Sequence, residues 1–139
     1  MDKDWLSARY TIMELLQKEQ RLLQVVKLVG PDVLPHRQRL ILETCSIFKN
    51  TFLQQSAFDD IDMYSSSHKQ FLMLKSIIKF YEKSDELIKK GTNIGEIKEN
   101  MIYQELVRMR FKYSESKEDM DKLAELPSEV ERSLAELEF

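Results

Sequence analysis

One cysteine, three glycines and three prolines are all that 139 residues offer of the types that staple, turn or break a chain. The lone Cys45 excludes an internal disulfide and any cysteine-built zinc site, and it fits a reducing compartment, so the cytoplasm is the expected location. So little Gly and Pro leaves few places for sharp turns. No apolar run approaches the roughly 20 residues needed to cross a bilayer. Met1-Asp2-Lys3-Asp4-Trp5 is too polar to open a secretory signal. Direct membrane insertion is therefore not expected, and any link to a membrane goes through partners. Charge of one sign is missing too: 24 acids stand against 21 bases, a net charge of -3. That balance provides no large positive field for a phosphate backbone, so nucleic acid is not an expected partner.

What remains is helix-forming material. Apolar residues make up 42% of the chain, enough for one core, and Leu, Lys, Glu, Gln and Met lose little side-chain entropy in a helix. The spacing of Ile12, Leu15, Leu16, Leu22, Val26 and Val29 predicts a first helix from about Trp5 to Val29, stopped by Gly30-Pro31. The connector Gly30-Pro31-Asp32-Val33-Leu34-Pro35 reads as a tight, exposed turn, and Pro35 opens the next helix. In that second helix Ile41, Cys45, Phe48 and Phe52 share one face, and it ends near Gln54 or Gln55. The acids and hydroxyls of 59–67 belong to a loop.

A third helix, about Ser67 to Lys90, carries Phe71, Leu74, Ile78 and Tyr81, and Lys89-Lys90-Gly91 closes it with cations and a Gly where dipole and cap favour them. Thr92 caps a short turn, and Ile102, Leu106 and Met109 mark a brief fourth helix that Phe111-Lys112-Tyr113 interrupts. Ser116-Lys117-Glu118-Asp119 then opens a helical tail with Met120, Leu123, Leu126, Leu134 and Leu137 among many acids, in which Pro127 is expected to kink or split the helix. The fold class is all-α: a bundle of about four to six helices over 1–113, followed by an acidic helical tail over 114–139 that projects from it.

Catalytic parts are missing. Nothing matches G-x-x-x-x-G-K-[ST], the loop that cradles phosphates and supplies Lys and a magnesium-binding hydroxyl. His36 and His68 stand alone, with no H-x-x-x-H or C-x-x-C pair, so no metal site is expected. Cys45 lies on the apolar stripe and reads as a small buried hydrophobe. Asp59, Asp60 and Asp62 fall in a polar loop with no apolar setting to separate their pKa values. No residue is expected to be catalytic.

Two segments carry a family resemblance. Leu28-Val29-Gly30-Pro31-Asp32-Val33-Leu34-Pro35, preceded by Leu16-Gln17-Lys18-Glu19, closely resembles the L-V-G-P-D-A-L-P connector of the catalytic A subunit of V/A-type rotary ATPases and archaeal ATP synthases. Phe52-Leu53-Gln54-Gln55-Ser56-Ala57-Phe58, followed by Asp60-Ile61-Asp62, is similar to that family's F-L-Q-Q-N-A-F and its acidic turn. Lys75 to Glu82 continues the match, and the likeness spans roughly Trp5 to Met109 before weakening in the tail.

The resemblance implies the C-terminal helical domain of a larger polypeptide, part of an ion-transporting two-sector ATPase, whose barrel, bulge and P-loop domains are absent here. On that basis the chain is a fragment, expected to be inactive by itself. It also implies two sites. Phe52, Gln54, Gln55 and Phe58 would line the adenine side of a nucleotide pocket for ATP or ADP, with magnesium bound elsewhere in the parent. From the residues alone, Phe52 reads instead as the end of the core stripe. Gly30, Pro31, Asp32, Val33, Leu34, Pro35, His36 and Arg37 would face the central-stalk rotor, in an assembly where A subunits alternate with B subunits in a hexamer at the membrane's edge. That assembly would couple ATP hydrolysis or synthesis to proton or sodium transport. Many relatives place acids after the second proline, as in E-E-E-R, where this chain has His36-Arg37-Gln38-Arg39; rotor contact by steric fit tolerates that change. A free-standing helical adaptor that binds a partner helix is the alternative.

Overall fold

A computed structural model of the chain describes residues 2–52 and 67–138. Among the described residues there are six α-helices and no strand: α1 (Asp2–Val29), α2 (His36–Phe52), α3 (Ser67–Lys89), α4 (Ile94–Glu99), α5 (Met101–Lys112) and α6 (Lys117–Ala135), with a 3-10 turn over Pro31–Val33. The all-α expectation holds.

The stops predicted from Gly and Pro are found where the backbone needs them. Gly30 has φ 88° and its N–H bonds the Val26 carbonyl at 2.8 Å, a conformation that costs an L side chain strain. Gly91 has φ 113°. Its N–H bonds the Ile88 carbonyl, and the Thr92 N–H reaches back to the Leu87 carbonyl, both at 3.0 Å, which is the Schellman closure of a helix. The next two caps belong to asparagines rather than to Thr92, which is buried. Asn93 accepts from the Glu96 N–H to start α4, and Asn100 accepts from the Ile102 N–H to start α5. Ser116 caps α6 by accepting from the Asp119 N–H.

α3 occupies the centre, with α1 and α2 against one side and α5 and α6 against the other, while the short α4 packs on α2 and α5. Ala8, Ile12 and Leu15 of α1 meet Ile41, Cys45, Leu74 and Ile78 in a smaller core. Leu40 and Ile47 of α2 turn the other way, with Met73, Ile77 and Phe80, into the main core. Both α2 and α3 are thus apolar on two faces. Small polar residues let them pack closely: the hydroxyls of Thr44 and Ser76 donate to their own helix's Leu40 and Leu72 carbonyls, leaving neither hydroxyl unsatisfied.

Two expectations for the tail are corrected. α6 does not project: it lies along α3, and Leu123, Leu126, Val130 and Leu134, spaced three, four and four, bury completely in the main core. Nor does Pro127 split it, because the helix runs through the proline, itself buried, between the anchors Leu126 and Val130. Burial of the apolar face outweighs the missing N–H, which costs about 3 kcal/mol in a helix interior. The 113/114 division falls in the turn between α5 and α6.

Candidate functional site

The far end of α1 leaves the core. Leu22 and Val26 are only half-buried, and by Leu28 and Val29 the helix is 85% and 59% exposed, with Val33 in the following turn 61% exposed. Pro31 and Asp32 are exposed as well. The turn is short and closed by its own backbone: the Leu34 N–H bonds the Pro31 carbonyl at 3.2 Å, and the Gln38 and Arg39 N–H groups bond the Pro35 carbonyl at 3.0 Å. Leu34 alone turns inward and is buried. Residues 28–33 therefore form a blunt, mainly apolar tip carried on two helices.

The remaining polar residues of this segment reach back to the body. Arg37 forks onto Asp85 of α3, Nε donating to Oδ1 at 2.8 Å and Nη2 to Oδ2 at 3.3 Å. Burial pushes the Asp85 carboxyl up, but the hydrogen bond and charge of Arg37, helped by Lys89, outweigh it and hold the pKa below the usual carboxylate value. Beside it, the His36 Nδ1 accepts from the Ile94 N–H at 3.3 Å, at the first residue of α4. A shallow cleft of about 320 Å³ between Lys18, Gln38, Tyr81 and Asp85 lies next to this contact.

At the opposite end of α2, Phe52 packs its ring 5.0 Å from Phe48 at 32° and touches both cores, yet remains only half-buried. It is the end of the apolar stripe with part of its surface uncovered. Gln54, Gln55 and Phe58, like the acidic stretch 59–66, lie outside the described residues. Flanking this segment is a contact that the sequence did not announce. Arg110 of α5 donates from Nη1 to the Asn50 carbonyl at 2.8 Å, and the buried Lys69 donates to the Arg110 carbonyl at 3.2 Å. Burial pushes the Lys69 amine pKa down, against the opposing charges of Glu115 and Asp119. Nothing in Arg108-Met109-Arg110 distinguishes the buried arginine from its exposed neighbour except the helical period, which places Arg110 four residues after the buried Leu106 and Arg108 only two.

Among the described residues no three His, Cys, Asp or Glu groups gather to hold a metal, and no helix is long and apolar enough to cross a membrane. The two candidate surfaces are thus a tip and a half-buried aromatic helix end, at opposite ends of α2.

The model of the C-terminal domain of V and A type ATP synthase matches residues 1–98. The chain is 43% identical over 131 residues to the V-type ATP synthase alpha chain of Halothermothrix orenii, covering 94% of this chain and 22% of that one. Against the A subunit of the A-type ATP synthase, it is 42% identical over 135 residues to the Ignicoccus hospitalis protein and 38% identical over 134 residues to the Methanopyrus kandleri protein, in each case across 96% of this chain and 22% of the relative. It therefore spans about a fifth of the length of these curated relatives. The similarity runs past the domain model into α5 and α6, and the chain belongs to the family of C-terminal domains of V and A type ATP synthases.

Proposed function

We propose that this chain is the lever of a rotary ATPase's catalytic subunit: it swings when the nucleotide domain of the parent opens and closes, and its tip pushes the central stalk. The exposed apolar surface of Leu28, Val29 and Val33 carries this reading, because a stiff tip whose one charged side chain is Asp32 pushes mainly by shape. Twenty-eight residues make α1 about 42 Å long, so a tilt of about 10° at its base moves the tip by roughly 7 Å. His36 and Arg37 bear on the body, which leaves steric contact as the tip's means of action.

The adenine side of the pocket belongs to the other end of α2. Phe52 offers a partly uncovered aromatic face for stacking, and Phe58 a second wall. Gln54 and Gln55 offer amides that suit the polar edge of a base. In the hydrolysis direction, binding of ATP with magnesium in the parent and its cleavage to ADP and phosphate supply the free energy of opening and closing. The phosphates are held elsewhere, so the 139 residues alone hydrolyse nothing. The partners are the alternating B subunits and the rotor, and the transported ion is a proton or sodium.

Replacing Val33 with Asp in the complete complex tests the lever. ATP turnover should persist while ion transport per ATP falls severalfold, since the rotor is gripped less well. Transport and turnover that both stay at the wild-type level would remove the tip from the mechanism.

A further inference from the structure

Arg37 and Asp85 each sit at the wrong end of their own helix. Arg37 is in the first turn of α2, where the helix dipole disfavours a cation, and that turn contains no acid to offset it. Asp85 is near the last turn of α3, where the dipole disfavours an anion. Each is placed badly for its own helix and well for the other's residue, 48 positions away, and the guanidinium meets the carboxylate through two hydrogen bonds. The next residue back, His36, takes the first N–H of α4, and Leu34 is buried two residues before that. Two adjacent residues, His36 and Arg37, thus fasten the turn to the α3–α4 corner.

We propose that Arg37 and Asp85 are positioning residues, a latch that ties the tip to α3 so that tip and body swing as one unit. This assigns the His36-Arg37 pair to internal bracing. Its consequence for coupling rests on the lever reading; the latch itself does not. Without it, the first turn of α2 keeps the His36 bond to α4, and its next ties to the body are Leu40 in the main core and, further along, Ile47 and the bonds of Glu43 to Lys98 and Tyr103, all beyond the tip. A push from the rotor would then bend the turn before it reached α3.

Amide hydrogen exchange on the 139-residue chain reads the latch directly. Arg37→Ala and Asp85→Asn should each speed exchange at Gly30, Leu34 and Gln38 by about two- to fivefold, the range an exposed ion pair commands. Exchange in α6 should not change, which shows that the chain remains folded. The double exchange Arg37→Asp with Asp85→Arg should restore or exceed wild-type protection, because each charge then also suits its helix dipole. Unchanged exchange in the single variants, or no rescue in the swapped pair, overturns the latch. In the complete complex, Asp85→Asn should lower ions transported per ATP while ATP turnover is retained. If exchange speeds up but coupling does not fall, the role of the latch in transmission is overturned, and the tip contact is still judged separately by Val33→Asp.

Discussion

Between α1 and α2 the Cys45 side chain is fully buried, and that burial, with the negative charge of Glu19 second and against the pull of Lys49, raises its thiol pKa from 9.0 to about 12. A thiol shifted this far presents about a thousandfold less thiolate at a given pH, and thiolate is the reactive form. A disulfide reagent at pH 8 should therefore label the native chain at least a thousandfold more slowly than the unfolded chain in guanidinium, and labelling at comparable rates would contradict the burial. The same shift has a sign for stability. The folded state favours the protonated thiol, so its contribution is whole below pH 9.0 and drains away as the pH rises toward about 12. The urea midpoint should fall across that window, and Cys45→Ala should flatten the fall. Cys45 was legible in the sequence because a small apolar residue on a helical stripe announces its own burial. Arg110 and Lys69 were not, since a buried cation is spelled the same way as a solvated one and only the tertiary partner tells them apart.

Helix ends were read best where backbone geometry leaves little choice of residue. Gly30 at φ 88° and Gly91 at φ 113° are such positions, and both stops were expected. Because nothing lies within 4 Å of a Cβ built on Gly30, Gly30→Ala meets no clash, and its cost is backbone strain alone. That cost should be about 1 kcal/mol or somewhat more, seen as a lower urea midpoint with an unchanged slope. A neutral result would mean that the turn adopts another conformation. α4 was missed as a helix because six residues containing Gly95 give too little periodicity, and its caps Asn93 and Asn100 are residues equally common in plain loops. In α2 and α3 one stripe was found and the opposite one overlooked. Leu40 and Ile47, or Met73, Ile77 and Phe80, become visible only when a helix is known to be covered on both sides. Part of the candidate tip was legible in the same way: Val33 stands in the connector read as an exposed turn, whereas Val29 was read only in the apolar spacing of α1, and Asp85, 48 residues beyond Arg37, carries no local signal.

α6 decides how the molecule holds together. Its acids read as a solvated segment, but the four side chains Leu123, Leu126, Val130 and Leu134 are fully buried against α3, and Glu138 beyond its end pairs with Lys83 at 2.7 Å and Lys90 at 3.3 Å. Burying a Leu or Val stabilises by about 1.5–3 kcal/mol, so four of them together weigh on the order of 10 kcal/mol. The net stability of a whole domain is about 5–15 kcal/mol. Cutting the chain after Tyr113 should therefore cost as much as the fold is worth, and in addition strip the side of α3 on which α6 packs. The expected product keeps part of its helical circular dichroism, binds a hydrophobic dye and unfolds without a sharp transition. A chain of 1–113 that melts cooperatively within about 5 °C of the full chain would instead make α1 to α5 a self-sufficient unit, with α6 an addition to it. The physical grounds favour the first outcome: α3 has no other element among the described residues that could cover the face α6 occupies, and the ion pairs of Glu138 are exposed enough to add little.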